Sequence, residues 1–350
     1  MEREPGGQLL NLATSPMSGT AANDRVFPTV SITTPSWNQG RFLEETIRSV
    51  LDQEGEFFID YVIVDGGSTD NSLDVIKKFE SQLLRGEWPT HCRGIRFRWL
   101  SEGDDGQSDA INKGLKMSTG EILGWLNSDD TYAAGALKEV CDAFAKEPNC
   151  EVVYGKTHYV DESGSHLGQY PTEDFRRDRL AVVNFICQPS TFFRRSALDR
   201  VGYPDAGLRY VMDFDLWIRM AGQCRFRYLD AFLSHYRLHG ESKTVSPRHA
   251  LENSRECLDI VYKHFHWAPA NRVYGYCASR YRAHVTHPFL KSKPVEIMLT
   301  LPYAAFKYCV MNRGVRLADV KQLSLGNLRN LLAEKNLGRS GTEKNPCISE

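Results

Sequence analysis

The chain has 350 residues, 41% hydrophobic and 25% charged, with a formal net charge of −1. That profile belongs to a globular protein of one large domain or two smaller ones, and so even a balance excludes a global field for nucleic acid or an acidic polymer. Nine cysteines lie without a CxxC pair or zinc-ligand spacing, which argues against a disulfide framework and for a reducing, cytoplasmic compartment.

Residues 1–27 carry acids, Pro and Gly where a signal peptide needs a basic start and an apolar core, and read as an unprocessed, disordered tail. "TVSITTP" is then a β-branched strand. "RFLEETIRSVLDQ" places Phe42, Leu43, Ile47, Val50 and Leu51 at helical spacing. The unit repeats: "YVIVD" is a strand ending at Asp65 in a Gly-rich turn, and "NSLDVIKKFESQLL" a helix with Asp70 as its expected N-cap. A third strand, "IRFRWL", leads through "SEGDDGQ" to a helix closed by Gly120, and "EILGWLN" is the fourth strand. Alternating strands and helices predict a parallel sheet covered on both faces, with ligand-facing residues at the carboxyl ends of the strands. Asp65, Asp104, Asp129 and Asp130 all follow such strands and should converge on one edge.

The second half is less regular. "CEVVYG" reads as a strand, "ICQPSTFFRRSALDRVG" as a loop or strand before a helix, "VMDFDLWIRMAGQ" as a helix, and "FRYLDAFLSHYRLH" as one or two strands. Helices are expected from there to about Leu332, with a polar tail over 333–350. The longest apolar stretch, from Val295, is broken by Glu296, Pro302 and Lys307, short of the ~20 clean residues of a membrane span. The basic residues around it, Lys291, Lys293, Lys307, Arg313, Arg316 and Lys321, suit either a helix lying on an anionic bilayer or an ordinary solvated helical face.

Adjacent carboxylates repel, and a cation such as Mg2+ or Mn2+ compensates them most directly through oxygen ligands. Asp129 or Asp130 could equally cap the helix that follows.

The stretches "VSITTPSWNQGRFLEETIRSVLDQ", "YVIVDGGSTDNS", "SEGDDGQSDAINKG", "GWLNSDDTY", "CQPSTFFRR", "MDFDLWIRM" and "YRLHGESKTVS" stand in the order and spacing of glycosyltransferase family 2. Over roughly residues 28–248 the chain resembles the bacterial members that build lipopolysaccharide and other surface polysaccharides. The resemblance implies a GT-A fold, a Rossmann-like mixed sheet flanked by helices: a nucleotide-sugar-binding half over 28–135, an acceptor-binding half over 136–248 and a helical extension over 249–332. It further implies inverting, metal-dependent transfer from a nucleotide-diphosphate sugar, UDP-linked by default, to a saccharide or lipid-linked acceptor. With that activity the resemblance implies Mn2+ or Mg2+ as cofactor, and a location in the cytoplasm or, peripherally, at the inner face of the cell membrane.

Residue by residue, the resemblance sets Pro35, Ser36, Asp65 and Asp104 along the nucleotide and its sugar. Asn127 takes the place of the first acid of the DxD motif, and Asp129 and Asp130, their roles undivided, hold metal or diphosphate. His239 is a further candidate metal ligand, with Arg237 and Lys243 as cations near the diphosphate, and Gln188 lines the acceptor pocket. Inverting transfer needs a base for the acceptor hydroxyl. "MDFDLW" matches the motif that carries it, with Met212 in place of its first acid. Asp213 is the expected base and Asp215 the alternative, although about 100° per residue separates the two by about 200°. Local structural roles compete throughout: a turn cap at Asp65, solvation at Asp104, a helix-dipole carboxylate at Asp215.

A sugar-1-phosphate nucleotidyltransferase should carry a Gly-rich phosphate loop after the first strand, and a dinucleotide oxidoreductase a GxGxxG turn. "TTPSWNQG" supplies neither. A sugar-nucleotide-binding or assembly subunit that has lost catalysis is the non-enzymatic alternative, suggested by Asn127 and Met212.

Overall fold

The computed structural model describes residues 12–13, 26–243, 249–316 and 319. The expected helical continuation to Leu332 and the tail over 333–350 lie outside the described residues. The chain divides into two compact units, Met1–Phe175 with Ile186–Arg237, and Arg176–Phe185 with Leu238–Glu350.

The first unit is built on a mixed sheet. Its strands are β1 (Leu12–Ala13), β2 (Thr29–Ser36), β3 (Phe58–Asp65), β4 (Gly94–Ser101), β5 (Ile122–Trp125), β6 (Thr131–Tyr132), β7 (Val152–Val160), β8 (His166–Gln169), β9 (Thr191–Arg194) and β10 (Phe226–Arg237). They run in the order β1-β4-β3-β2-β5-β9-β7-β10-β6, with β8 paired to β7. β4, β3, β2 and β5 are parallel, as alternating strands and helices require. β9 then enters antiparallel between β5 and β7, which no periodicity announced. Within the segment read as a disordered tail, Leu12–Ala13 pairs antiparallel with β4.

The helices of this unit are α1 (Gly40–Leu51), α2 (Ser72–Leu84), α3 (Gln107–Met117), α4 (Ala136–Lys146), α6 (Arg195–Val201) and α7 (Met212–Ala221); α5 (Arg177–Val182) falls in the second unit. α1 buries the face read from its spacing, Phe42, Leu43, Ile47, Val50 and Leu51, against Ile32, Ile59 and Tyr61 of the sheet. Each such side chain removed from water contributes about 1.5–3 kcal/mol.

Two boundary readings change. The N-cap position of α2 is Asn71. Asp70 instead accepts from Ser72 N at 3.0 Å and, with its second oxygen, from Gly40 N at 2.9 Å, tying together the starts of two helices. Burial pushes its carboxyl up, but these bonds together with that from the Ser72 hydroxyl outweigh it and hold Asp70 below the usual range. α3 ends before Ser118, and Gly120 serves packing: a Cβ there would lie 2.5 Å from Thr29 O.

Among the described residues the second unit contains α5 with α8 (Ala250–Phe265), α9 (Ala270–His284) and α10 (Lys293–Asn312). Leu258, Val273, Cys277, Ala304 and Tyr308 form its core. Asn271 Nδ2 donates to Val182 O at 2.8 Å, fastening α9 to α5.

Candidate active site

Strand register creates the site's first row. Ser36 is opposite Asp65, and Asp65 opposite Ser101, so the carboxyl ends of β2, β3 and β4 are level. Asp65 is fully buried. Its Oδ2 accepts from Gly67 N at 3.1 Å, Ser68 N at 2.9 Å and Ser101 Oγ at 2.8 Å, and its Oδ1 from Ser68 Oγ at 2.5 Å. These donors shape the Gly-rich turn, so the cap considered for Asp65 is present. Gly66 lets the next loop close in, since a Cβ there would lie 2.5 Å from Asp104 Oδ2. Asp104 is half-buried and accepts from Gly106 N at 2.9 Å. Pro35 precedes Ser36, whose buried hydroxyl finds no hydrogen-bond partner among the described residues.

The second group follows β5. Asp130 is fully buried, accepting from Arg237 N at 2.9 Å on one carboxylate oxygen and approached by Asn127 Nδ2 at 3.4 Å on the other. Burial first, and the Asp129 charge second, push its carboxyl well above the usual range. Asp129 is half-buried. Neither aspartate caps the helix: β6 intervenes, and the N-cap of α4 is Gly135, which is in the left-handed region at φ 75°. Thr46 Oγ1, from α1, lies 2.8 Å from Asp130 O and 3.0 Å from Ser128 O.

Asn127 is engaged at both ends of its amide. Gln107 Nε2 donates to Asn127 Oδ1 at 2.8 Å, and Asn127 Nδ2 donates to Gln188 Oε1 at 3.0 Å. Gln188 is buried and donates to Trp125 O at 2.6 Å. An aspartate at 127 would lack the donor for Gln188 and add a third carboxylate beside two others. That is a local reason for the departure from DxD.

Arg237, expected as a cation near a diphosphate, is buried and spent on the protein. Nε donates to Asp129 O at 2.9 Å, Nη1 to Glu162 O at 2.9 Å, and Nη2 to Glu45 at 2.5 Å, while the guanidinium stands 4.9 Å from the Phe42 ring centroid. It latches the turn that presents Asp129.

The third group is the first turn of α7. Trp217 is fully buried and stacks on Trp125, with centroids 5.8 Å apart and planes at 17°; such a pair is worth about 0.5–1.5 kcal/mol beyond its area. The preceding loop is held by Ser108 Oγ to Leu208 O at 2.7 Å and Asn112 Nδ2 to Pro204 O at 2.9 Å. Asp213 lies one turn before Trp217 on the same helical face, which directs it toward the end of β5. Desolvation pushes its carboxyl up to about 6, against backbone N–H groups at the helix start that pull it down. The Cys187 thiol, raised chiefly by burial, feels the charges of both Asp130 and Asp213, so both acids lie near the turn that carries Gln188.

Asp215 has a different fate. It is buried, and Arg219 Nε donates to it at 2.7 Å. The same guanidinium holds Val201 O at 2.7 Å, Gly202 O at 3.0 Å and Tyr203 O at 3.0 Å. Asp215 is a structural ion-pair partner.

His239, buried, and Lys243, exposed, fall in the second unit; His239 O accepts from Ser242 N at 3.0 Å. Among the described residues no three His, Cys, Asp or Glu side chains form a ready-made metal cluster. The chemistry at 129–130 nevertheless suits a hard cation, since two carboxyl groups stand at adjacent positions as oxygen donors. Sequence reasoning missed Gln107, Glu45 and Thr46. The spacing set Glu45 and Thr46 in a helix and Gln107 in the loop before one, although Gln107 opens α3; their partners were not readable, because each acts across a long sequence separation.

The family model described as Glycosyl transferase family 2 matches residues 31–202. An uncharacterised glycosyltransferase of Nostoc is 27% identical over 235 residues, 62% of this chain and 67% of that protein. The chondroitin synthase of Escherichia coli is 24% identical over 62% of this chain, which spans only 30% of that longer protein. Among solved structures, S. aureus TarS 1-349 in complex with UDP-GlcNAc superposes with a TM-score of 0.53 at 18% identity, covering 81% of each chain. The mannosyltransferase PcManGT from Pyrobaculum calidifontis, in complex with GDP-Man and Mn2+, gives 0.50 at 16% identity over 87% of this chain and 81% of that one.

Proposed function

The chain belongs to glycosyltransferase family 2 through residues 31–202, and from that premise we propose that it transfers a sugar, with inversion, from a nucleoside diphosphate sugar to a hydroxyl of a saccharide or lipid-linked acceptor in surface-polysaccharide synthesis. The observation that carries this reading is Asp213, a carboxylate raised to about 6 on the face of α7 that meets the end of β5. It is ionised at neutral pH and basic enough to take a proton. The acceptor oxygen attacks the anomeric carbon while its proton passes to Asp213. The bond from that carbon to the diphosphate oxygen breaks, and the nucleoside diphosphate leaves with the electron pair.

Asp65, Asp104 and the buried Ser36 hydroxyl would border the nucleoside, and Gln188 would line the acceptor side. Asp129 would hold a divalent cation, with Asp130 behind it. Bound Mn2+ or Mg2+ supplies positive charge to the departing diphosphate. The two superposed proteins were captured with a uracil and a guanine carrier, respectively; titration with UDP, GDP and TDP, with and without Mn2+, decides the carrier.

Asp213→Asn tests the assignment. Transfer should fall by about 10²–10⁴ while calorimetric donor affinity stays unchanged. Transfer at the parent rate would remove Asp213 as the base, and absence of transfer and nucleotide binding in the parent chain would favour the non-catalytic subunit.

A further inference from the structure

Helix α10 is apolar on two sides. One side, Ile297, Thr300, Ala304 and Tyr308, is buried and contributes to the core of the second unit. The far side, Leu299, Tyr303, Phe306 and Val310, repeats helical spacing in the open, with Phe306 67% and Val310 61% exposed and Met298 beside them 65% exposed. A surface helix ordinarily turns a polar second side to water, and a contiguous exposed apolar stripe marks an interaction site.

The charges around the stripe say what it meets. Residues 268–316 contain eight Lys or Arg and a single acid, Glu296, in a chain whose net charge is −1. Glu296 is buried and consumed by Arg282, whose Nη2 and Nε donate at 2.8 and 3.0 Å. The cations bracket the stripe, with Lys291 and Lys293 before its first turn and Arg313 and Arg316 after its last. At its flank Arg280 Nη1 lies 3.5 Å from the Tyr303 hydroxyl. A second copy would bring basic ends against basic ends in either orientation. Among the described residues no helix is long and apolar enough to cross a membrane.

We propose that α10 is a membrane-docking helix, lying in the headgroup boundary of an anionic bilayer with its stripe of Met298, Leu299, Tyr303, Phe306 and Val310 inserted and its bracketing cations on the lipid phosphates. The proposal deepens the lipid-linked reading of the acceptor and rests on it, but its test needs no sugar donor.

The experiment is co-sedimentation of the full chain with vesicles of phosphatidylcholine alone or mixed with phosphatidylglycerol. Binding should require the anionic lipid and weaken with salt. Met298→Ser combined with Phe306→Ser, and separately Lys291→Glu combined with Arg313→Glu, should each lower vesicle affinity about tenfold or more with the thermal midpoint unchanged, since these side chains face water. Failure to bind phosphatidylglycerol vesicles, or binding indifferent to the Ser pair, overturns the proposal. A dimer in sedimentation velocity that the Ser pair dissociates, without vesicle binding, reassigns the stripe to self-association and also overturns it. Vesicle binding in a chain that transfers no sugar would sink the transferase reading and leave this surface standing.

Discussion

The turn after β5 and the first turn of α7 each carry two nearby aspartates, and the protein treats them differently. On α7, Asp215 receives a guanidinium, that of Arg219, so its charge is matched by a full charge. After β5, Asp130 receives, among the described residues, a backbone N–H and a long amide contact, although it too has an arginine as neighbour. Arg237 turns its cation to the Asp129 and Glu162 carbonyls and to Glu45. The Asp215–Arg219 ion pair is electrically closed inside the protein. In the other, the open pair, no guanidinium among the described residues donates to the Asp130 carboxyl, which holds a proton more tightly than usual.

The largest effect should come from breaking the closed pair. Asp215→Ala leaves the Arg219 charge without its carboxylate, which costs about 3–5 kcal/mol for a buried pair and should appear in denaturant melts as a shifted midpoint with unchanged slope. If Arg219 proves hydrated enough for the loss to stay below about 1 kcal/mol, the contrast with Asp130 collapses.

A somewhat smaller effect should attend Asp213. An acid whose folded pKa, about 6, stands above its unfolded value holds more protons folded than unfolded between the two. Its contribution to stability therefore falls as pH rises through that window and is fully unfavourable at pH 7. Asp213→Asn should stabilise the protein at pH 7 by at most about 3 kcal/mol, from ~1.4 kcal/mol per unit, and by nothing near pH 3. Transfer by the parent should rise with pH through about 6. A flat profile would contradict the base.

The smallest and most pointed test divides the open pair. Asp130→Asn keeps an acceptor for Arg237 N and should leave metal-dependent nucleotide binding within about twofold, whereas Asp129→Asn should weaken it by about tenfold or more, in line with a lost charged contact of ~1.5–3 kcal/mol. Equal losses would mean that both carboxylates reach the ion.

Much of this was legible in the residues. The run 29–35 and its helix could be placed because β-branched and helical periodicities are local, and they recur as Thr29–Ser36 and Gly40–Leu51. Asp213 and Asp215 could be separated by angle alone. What could not be read is whatever depends on distant partners. Asn127 looked like a defect in a motif until Gln107 and Gln188 stood on either side of it. Arg237 looked like a ligand-facing cation because no local pattern encodes acceptors at Asp129 and Glu162. Asp70 looked like one helix cap because Gly40 is 30 residues away.

The bond between Arg237 N and Asp130 spans 107 residues, and Arg237 ends β10, the last strand of its unit. As the chain leaves the ribosome, β2 to β5 can pair long before that N–H exists, and contacts so far apart in sequence form late. Until then Asp130 remains hydrated and ionised. Burial, and with it the raised affinity for a proton, arrives with the final strand. A nascent chain stopped short of residue 237 would therefore own the row of Ser36, Asp65 and Ser101 but no finished turn, so synthesis itself withholds the site until the unit is complete.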